Sequence, residues 1–246
     1  MTIDGQIMNI SPEEKIMYSV MHAVYSSGVP VSFKGSMVLK ACLMEAGYPD
    51  DIRHTADIDA NWNSDAFCST EQIGEVFQRA FDRNDIHLNI SVYREYGDGR
   101  SAGFELRDTA TGENLFTMDV DVNRPLPLTK IYEIAGVHFR GAAPLQIIAD
   151  KIYVLSTEKI FRRIKDMVDL YYVSRVFDFD CKAVKQILDK SHRALGDFHC
   201  FLERTPDLKH SYDKFRFTGD IHRPAFDEVY SAVKLFVLEI LPVGIS

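Results

Sequence analysis

An α/β fold in two parts is predicted: a domain of mixed strands and helices over residues 1–143, then a helical domain over 144–246. Three observations predict it. Up to residue 143, short runs of two-residue alternation are interleaved with capped segments of helical period. From Pro144 onward the periodic segments are all helical, and no hairpin signal recurs. The length, 246 residues, admits one or two domains at roughly 150 residues each.

The elements follow in order. Ser11, Pro12 and Glu14 supply an N-cap, a first-turn proline and a capping-box acid ahead of Ile16, Met17, Val20, Met21 and Val24, and Gly28 ends that helix. After Pro30 comes a short apolar strand, 31–33; Lys34-Gly35-Ser36 then feeds a helix over 37–46 that Gly47 stops. Residues 53–62 alternate as a strand. Ser69 and Gln72 cap a helix whose inner face is Ile73, Val76, Phe77, Ala80 and Phe81. Strands are expected at 86–93, with Ile86, Leu88, Ile90 and Val92 on one face, at 103–107 and at 115–122. Gly97-Asp98-Gly99 and Thr111-Gly112 mark the turns between them. A further run, 131–139, reads as one strand closed by Gly141. Helices are expected at 144–155, 160–176, 180–190 and 224–241, while 197–220 is polar, aromatic and irregular, either a long loop or one holding a short helix.

Composition narrows the function. Twenty-eight Lys and Arg against 36 Asp and Glu give a net charge of -8, which argues against a surface that is basic all over for nucleic acid but leaves room for a local basic patch. The four cysteines, Cys42, Cys68, Cys181 and Cys200, form no C-x-x-C pair, so free thiols in a reducing cytosol are expected rather than a zinc ribbon or a disulfide scaffold. Residues 1–9 lack a basic n-region and no stretch reaches the ~18 apolar residues of a membrane span, so a cytoplasmic protein with no membrane partner is expected. The histidines show no metal-type spacing. G-x-S-x-G, G-x-G-x-x-G and Walker A elements do not occur, which removes the main support for hydrolase, Rossmann and P-loop readings.

Three clusters carry chemistry. Lys34-Gly35-Ser36 stands at a helix mouth, where a glycine admits a phosphate to the backbone and the helix end offers unpaired N–H groups. A plain N-cap and turn is the competing account. In Asp57-Ile58-Asp59 the i, i+2 spacing of a strand puts both carboxylates on one side; like charges so placed become favourable when a divalent cation neutralises them, although a solvated strand end would also look this way. In 116–122, Phe116, Met118, Val120 and Val122 face a core while Thr117, Asp119 and Asp121 face away, either as a third acidic site or as the wet side of a half-buried strand. Trp62 beside the acidic strand could stack on a base, but a core aromatic is the simpler reading.

Later in the chain, Arg162, Asp166 and Asp169 fall on roughly one helical face, with Lys165 next to Asp166. This is either a salt-bridged exposed face or part of a site. Lys159, Arg162, Arg163 and Lys165 form a basic stretch able to grip a triphosphate or an RNA backbone, and Lys151 on the preceding helix is either a ligand or a lysine snorkelling over Ile147, Ile148 and Leu155.

Taken together, the clusters resemble the nucleotidyltransferases of the DNA polymerase β superfamily, with a Gly-Ser turn, an Asp-x-Asp strand and a third carboxylate on a neighbouring strand. Within it, Lys34-Gly35-Ser36-Met37-Val38-Leu39 and Arg53-x-Thr55-x-Asp57-Ile58-Asp59 are similar to the K-G-[GS]-x-x-L and R-x-[ST]-x-D-[IL]-D motifs of the AbiEii/AbiGii abortive-infection toxins. That family's later lysine and its [RK]-x-[KR]-D-x-x-D-[LV] helix correspond to Asp150-Lys151 and to Arg163-Ile164-Lys165-Asp166-Met167-Val168-Asp169-Leu170. The likeness spans residues 33 to about 172, and the order of four motifs makes it specific.

The resemblance implies a polymerase β-like domain with a mixed sheet, closed by the helical domain. It implies Mg²⁺ in a two-metal site on Asp57, Asp59 and Asp119, with Asp121 as the substitute for the third acid. Asp119 would also draw the acceptor's proton. Lys34, Gly35 and Ser36 would bind the NTP phosphates. Lys151, Lys165, Asp166 and Asp169 would position the nucleotide, or the two acids would orient Lys151. The reaction implied is transfer of an NMP from an NTP to a hydroxyl with release of pyrophosphate, the acceptor typically RNA and in some members tRNA, in a phage-defence toxin relieved by a cognate antitoxin. Two alternatives stay open: a small-molecule nucleotidyltransferase of the aminoglycoside-modifying kind, and a non-catalytic protein that senses nucleotide or neutralises a partner.

Overall fold

Alternation in the first half of the chain becomes a seven-stranded mixed sheet, and the capped helical segments of that half become helices packed on it. The computed structural model describes residues 2–3, 6–7, 10–48, 52–64, 68–97, 99–122, 125–134, 136–217 and 222–241. The chain divides into two compact units, Met1–Cys42 with His54–Ala142, and Leu43–Arg53 with Ala143–Ser246.

The first unit opens with two short strands, β1 (Thr2–Ile3) and β2 (Gln6–Ile7), paired antiparallel. Then follow α1 (Pro12–Ser26), β3 (Val31–Lys34), α2 (Gly35–Glu45), whose last residues belong to the second unit, β4 (Asp57–Trp62), α3 (Thr70–Arg83), β5 (Leu88–Tyr96), β6 (Ser101–Asp108), β7 (Asn114–Asp121), β8 (Thr129–Ile134) and β9 (Val137–Ala142). The large sheet runs β5-β6-β7-β4-β3-β9-β8. Its parallel pairs are β4 with β7 and β3 with β9, and the other neighbours are antiparallel.

Local signals fix the two helices that cover the sheet. Ser11 Oγ accepts the Glu14 N–H while the Glu14 carboxylate accepts the Ser11 N–H at 2.9 Å, and Ser69 with Gln72 makes the same reciprocal cap on α3. Each cap stabilises its helix by about 1 kcal/mol. The apolar positions Phe33, Ile58, Ala60, Trp62, Phe104, Met118 and Val120 are buried. Phe77 of α3 makes edge contacts with Trp62 and Phe104, ring centroids 6.1 and 5.8 Å apart, each pair adding roughly 0.5–1.5 kcal/mol beyond area burial. Trp62 is therefore a core residue.

Several boundaries differ from the sequence reading. The run 131–139 is two strands, because Gly136 takes a φ of 82° and turns the chain into a β8–β9 hairpin. The strand expected from residue 53 starts at Asp57. Asp98 of the expected 97–99 turn, and residues 1, 4, 5, 8 and 9 of the N-terminal reading, lie outside the described residues.

The second unit is helical: α4 (Pro144–Leu155), a 3₁₀ turn over Glu158–Phe161, α5 (Ile164–Ser174), α6 (Cys181–Lys190), α7 (His199–Glu203), α8 (Thr205–Lys214) and α9 (Phe226–Ile240). The single helix expected at 160–176 is broken into the 3₁₀ turn and α5. The described part of 197–220 holds α7 and α8, and 218–220 lie outside the described residues. Gly196 explains how α7 is entered: a Cβ there would stand 2.0 Å from the Ser156 carbonyl oxygen, and the Gly196 N–H donates to Ser156 Oγ at 3.0 Å. Among the described residues no helix is long and apolar enough to cross a membrane, and the cysteines are free thiols.

Candidate active site

Strand register decides which acids meet. Along β4, Asp57 and Asp59 alternate with buried Ile58 and Ala60, so both carboxylates leave the sheet on the side away from the core. β7 runs parallel to β4 with Asp59 directly beside Asp119 and Asp57 beside Thr117. On the other flank, Lys34 of β3 is the partner of Asp59. One row thus carries Lys34, Asp59, Asp119 and then Gly103 of β6. Asp121 belongs to the next row, beside Asn61 and Ser101.

Each acid has its own surroundings. Thr55 Oγ1 donates to Asp57 Oδ1 at 2.6 Å. Asp59 lies under the turn at Gly35, where φ is 72° and a Cβ would sit 2.1 Å from Asp59 Oδ2. Only a glycine brings the start of α2 this close to that carboxylate. Ser36, the next residue, is 9% exposed. Asp119 receives both of its oxygens' bonds from Arg94 Nη2, at 2.9 and 2.8 Å, and this bond holds the Arg94 guanidinium above its ordinary pKa. Asp121 is paired with the Lys34 ammonium and accepts from Ser101 Oγ at 2.6 Å.

A buried network stands behind Thr55. Glu14, with no exposed surface, accepts from Lys40 Nζ at 2.6 Å, bonds His54 Nδ1 at 3.0 Å and accepts the Thr55 N–H at 3.3 Å. The residue that caps α1 therefore also anchors the segment leading into β4. Sequence reasoning took Glu14 for a capping residue alone and did not single out Lys40 or His54.

The donor set suits a hard divalent cation: three carboxylates on one sheet side, two on alternate positions of one strand and the third in register on its neighbour. Among the described residues no three His, Cys, Asp or Glu side chains close on one point as a formed metal site does. The residues fit such an ion in chemistry and in side.

The second unit gathers the other predicted residues into a separate cluster. Lys151 of α4 donates from Nζ to Asp166 Oδ1 at 2.9 Å and to Asp169 Oδ2 at 2.6 Å, both on α5. Arg53 reaches Asp169 at 3.3 Å and Arg163 pairs with Asp166 at 2.8 Å. Asp166 and Asp169 are buried rather than on an exposed face, and Lys151 is 7% exposed. Burial alone would lower the Lys151 pKa, but the two carboxylates outweigh it and hold it above the ordinary lysine value. Burial alone would raise Asp169; Arg53 and Lys151 outweigh it and hold it below the ordinary aspartate value, with Lys165 adding to their field. Lys165 is itself half-buried on α5. Arg53 and Asp169 tie the first residue of the Arg53-to-Asp59 motif to the last acid of the helical one.

No family model matches the sequence, and no curated protein matches it. Solved structures do. MenT4, a nucleotidyltransferase toxin from Mycobacterium tuberculosis, superposes with a TM-score of 0.60 at 18% identity, over 94% of this chain and 84% of that one. An antigenic nucleotidyltransferase-like protein from Paracoccidioides brasiliensis gives 0.44 at 16% identity, over 82% of this chain and 92% of that one. The register of β4 and β7, the glycine turn into α2 and the match to MenT4 over nearly the whole chain lead to one statement: this chain has the nucleotidyltransferase fold.

Proposed function

We propose that the protein transfers a nucleoside monophosphate from an NTP to a hydroxyl of RNA, forming a phosphodiester as the α–β phosphoanhydride bond breaks and pyrophosphate leaves, tRNA being the first acceptor to test, and that it acts as a toxin restrained by a cognate antitoxin. The observation that supports this most is the row formed by Asp59 and Asp119 on adjacent parallel strands, with Asp57 on the same side and Gly35 closing over Asp59. Facing acids of this kind repel one another unless a cation or a fixed positive charge accompanies them.

In this reading Asp57, Asp59 and Asp119 would hold Mg²⁺, and Asp119 is preferred to Asp121 because it is the acid registered against Asp59. Held by these acids, a divalent cation would supply charge neutralisation for the triphosphate and for the reacting oxygens. The chain's own residues do the remaining work. Gly35 and Ser36 present the mouth of α2 to the phosphates, where the absence of a side chain on Gly35 and the helix N-terminus favour anionic oxygens. Lys34 keeps Asp121 engaged and adds positive charge beside the phosphate site. Thr55 holds one oxygen of Asp57, leaving its carboxylate oriented. Asp119 would take the proton of the acceptor hydroxyl on an oxygen that Arg94 gives up when the acceptor binds.

For Lys151, Asp166 and Asp169, their mutual bonds favour the version in which the acids orient the lysine, with Lys165 at the edge of the cluster. The test is incubation with each α-labelled NTP, Mg²⁺ and total tRNA. Label is expected in RNA with the wild-type chain and not with Asp57→Ala or Asp59→Ala. Transfer that survives either substitution would refute the assignment of the acids. Label moved to an aminoglycoside and not to RNA would support the small-molecule alternative.

A further inference from the structure

The edge strand β5 carries Arg94, which is bonded to Asp119. We infer that Tyr93, Arg94 and Tyr96 form a stacking site for the terminal nucleotides of the single-stranded RNA acceptor. This rests on the proposed transfer reaction and names the residues that receive its second substrate.

The backbone prepares the site. The β5–β6 pairing shifts between Val92 and Arg94, leaving Tyr93 as an extra residue on the edge strand. The shift sets Arg94 opposite Gly103 of β6. A Cβ on Gly103 would stand 2.7 Å from Arg94 Cγ, Arg94 Nε and Tyr93 Cε1, so the glycine makes room for both side chains to lie across β6. Arg94 crosses it to reach Asp119.

The chemistry then points to a nucleobase. The Arg94 guanidinium lies 4.8 Å from the Tyr93 ring centroid and 5.1 Å from that of Tyr96. Those rings remain 39% and 51% exposed, so their placement is not explained by burial in the core. Aromatic rings and a guanidinium held together are the elements that bind unpaired bases, by stacking and by contact with the backbone phosphate. Because Arg94 also holds Asp119, a nucleotide stacked there would have its hydroxyl end next to the acid that takes the proton. The base of an NTP offers the same stacking chemistry, and transfer kinetics with NTP and tRNA varied in turn separate the two sources.

The experiment compares the wild-type chain with Tyr93→Ala/Tyr96→Ala and Tyr93→Phe/Tyr96→Phe. One arm is fluorescence anisotropy with a short single-stranded RNA labelled at its 5′ end; the other is transfer kinetics with NTP and tRNA varied in turn. The alanine pair is expected to raise the RNA Kd and the tRNA KM about tenfold or more while the NTP KM stays within about twofold, and the phenylalanine pair to behave as wild type. Unchanged melting of the alanine pair shows that the fold is intact. An unchanged RNA Kd, a wild-type chain that binds no RNA, or an effect confined to the NTP KM would each overturn the inference. RNA binding that depends on the rings in a wild-type chain that transfers nothing would leave the stacking site standing and remove the transfer reaction instead.

Discussion

Gly35 and Asp59 are built to one another: the hydrogen at the glycine Cα points where a Cβ would lie 2.1 Å from the Asp59 carboxylate oxygen. Asp59 is also the acid registered against Asp119. Gly35→Ala is expected to cost about 1–2 kcal/mol for the left-handed backbone, and to displace Asp59. A displacement near 1 Å corresponds to roughly a hundredfold loss in transfer rate. Rate measurements alongside thermal melts check this, since the rate should fall about a hundredfold while the chain stays folded at the assay temperature.

Thr55 acts on Asp57 through one hydroxyl. Thr55→Val removes that bond at nearly constant shape and is expected to lower kcat about tenfold, equivalent to roughly 1.4 kcal/mol, whereas Thr55→Ser keeps it. Equal rates for Val and Ser would show that the hydroxyl does not orient the acid.

Glu14 and Lys40 are a buried ion pair with side chains 0% and 4% exposed. Glu14→Gln strands the lysine in the interior and is expected to destabilise the fold by about 3–5 kcal/mol. Replacing both, as Glu14→Gln/Lys40→Met, which keeps an acceptor for the Ser11 and Thr55 N–H groups, is expected to recover most of that loss in chemical denaturation, the signature of an uncompensated charge rather than a lost shape.

The Lys151 cluster makes stability depend on pH at both ends. Asp169 titrates below the ordinary 3.8, so its contribution is present above that value and is lost as the pH falls through the depressed pKa. Lys151 titrates above the ordinary 10.5, so its contribution is present below that value and is lost as the pH rises through the elevated pKa. Between these limits, melting temperature should be insensitive to this cluster. Lys151→Met leaves the buried Asp166 and Asp169 with only Arg163 and Arg53 to compensate them; it should destabilise by about 3 kcal/mol at neutral pH and abolish the alkaline loss. A Lys151→Met chain that keeps the wild-type alkaline limb would place that limb elsewhere.

What the sequence made legible was local. Capping pairs three residues apart and two-residue alternation are written in neighbouring positions, so α1, α3 and β7 stand close to where their residues predict, and β4 ends where predicted though it starts four residues later. The side on which Asp57, Asp59 and Asp119 leave the sheet follows from alternation, but their adjacency depends on parallel register, which no local signal encodes. The hairpin at Gly136 was hidden because apolar residues continue through it. Glu14, Lys40 and His54 lie 26 and 40 residues apart, so their meeting required the fold itself. Arg94 gave no sign in an exposed strand; Gly103 inside a strand was the available hint of a close approach.

The central claim is that the side of the sheet bearing Asp57, Asp59 and Asp119 binds a divalent cation together with an NTP. Titration of Mn²⁺ by electron paramagnetic resonance, with a non-hydrolysable NTP present, tests it most directly. The account predicts saturable binding to the wild-type chain and its loss in a folded Asp59→Ala chain; equal binding by both would contradict it.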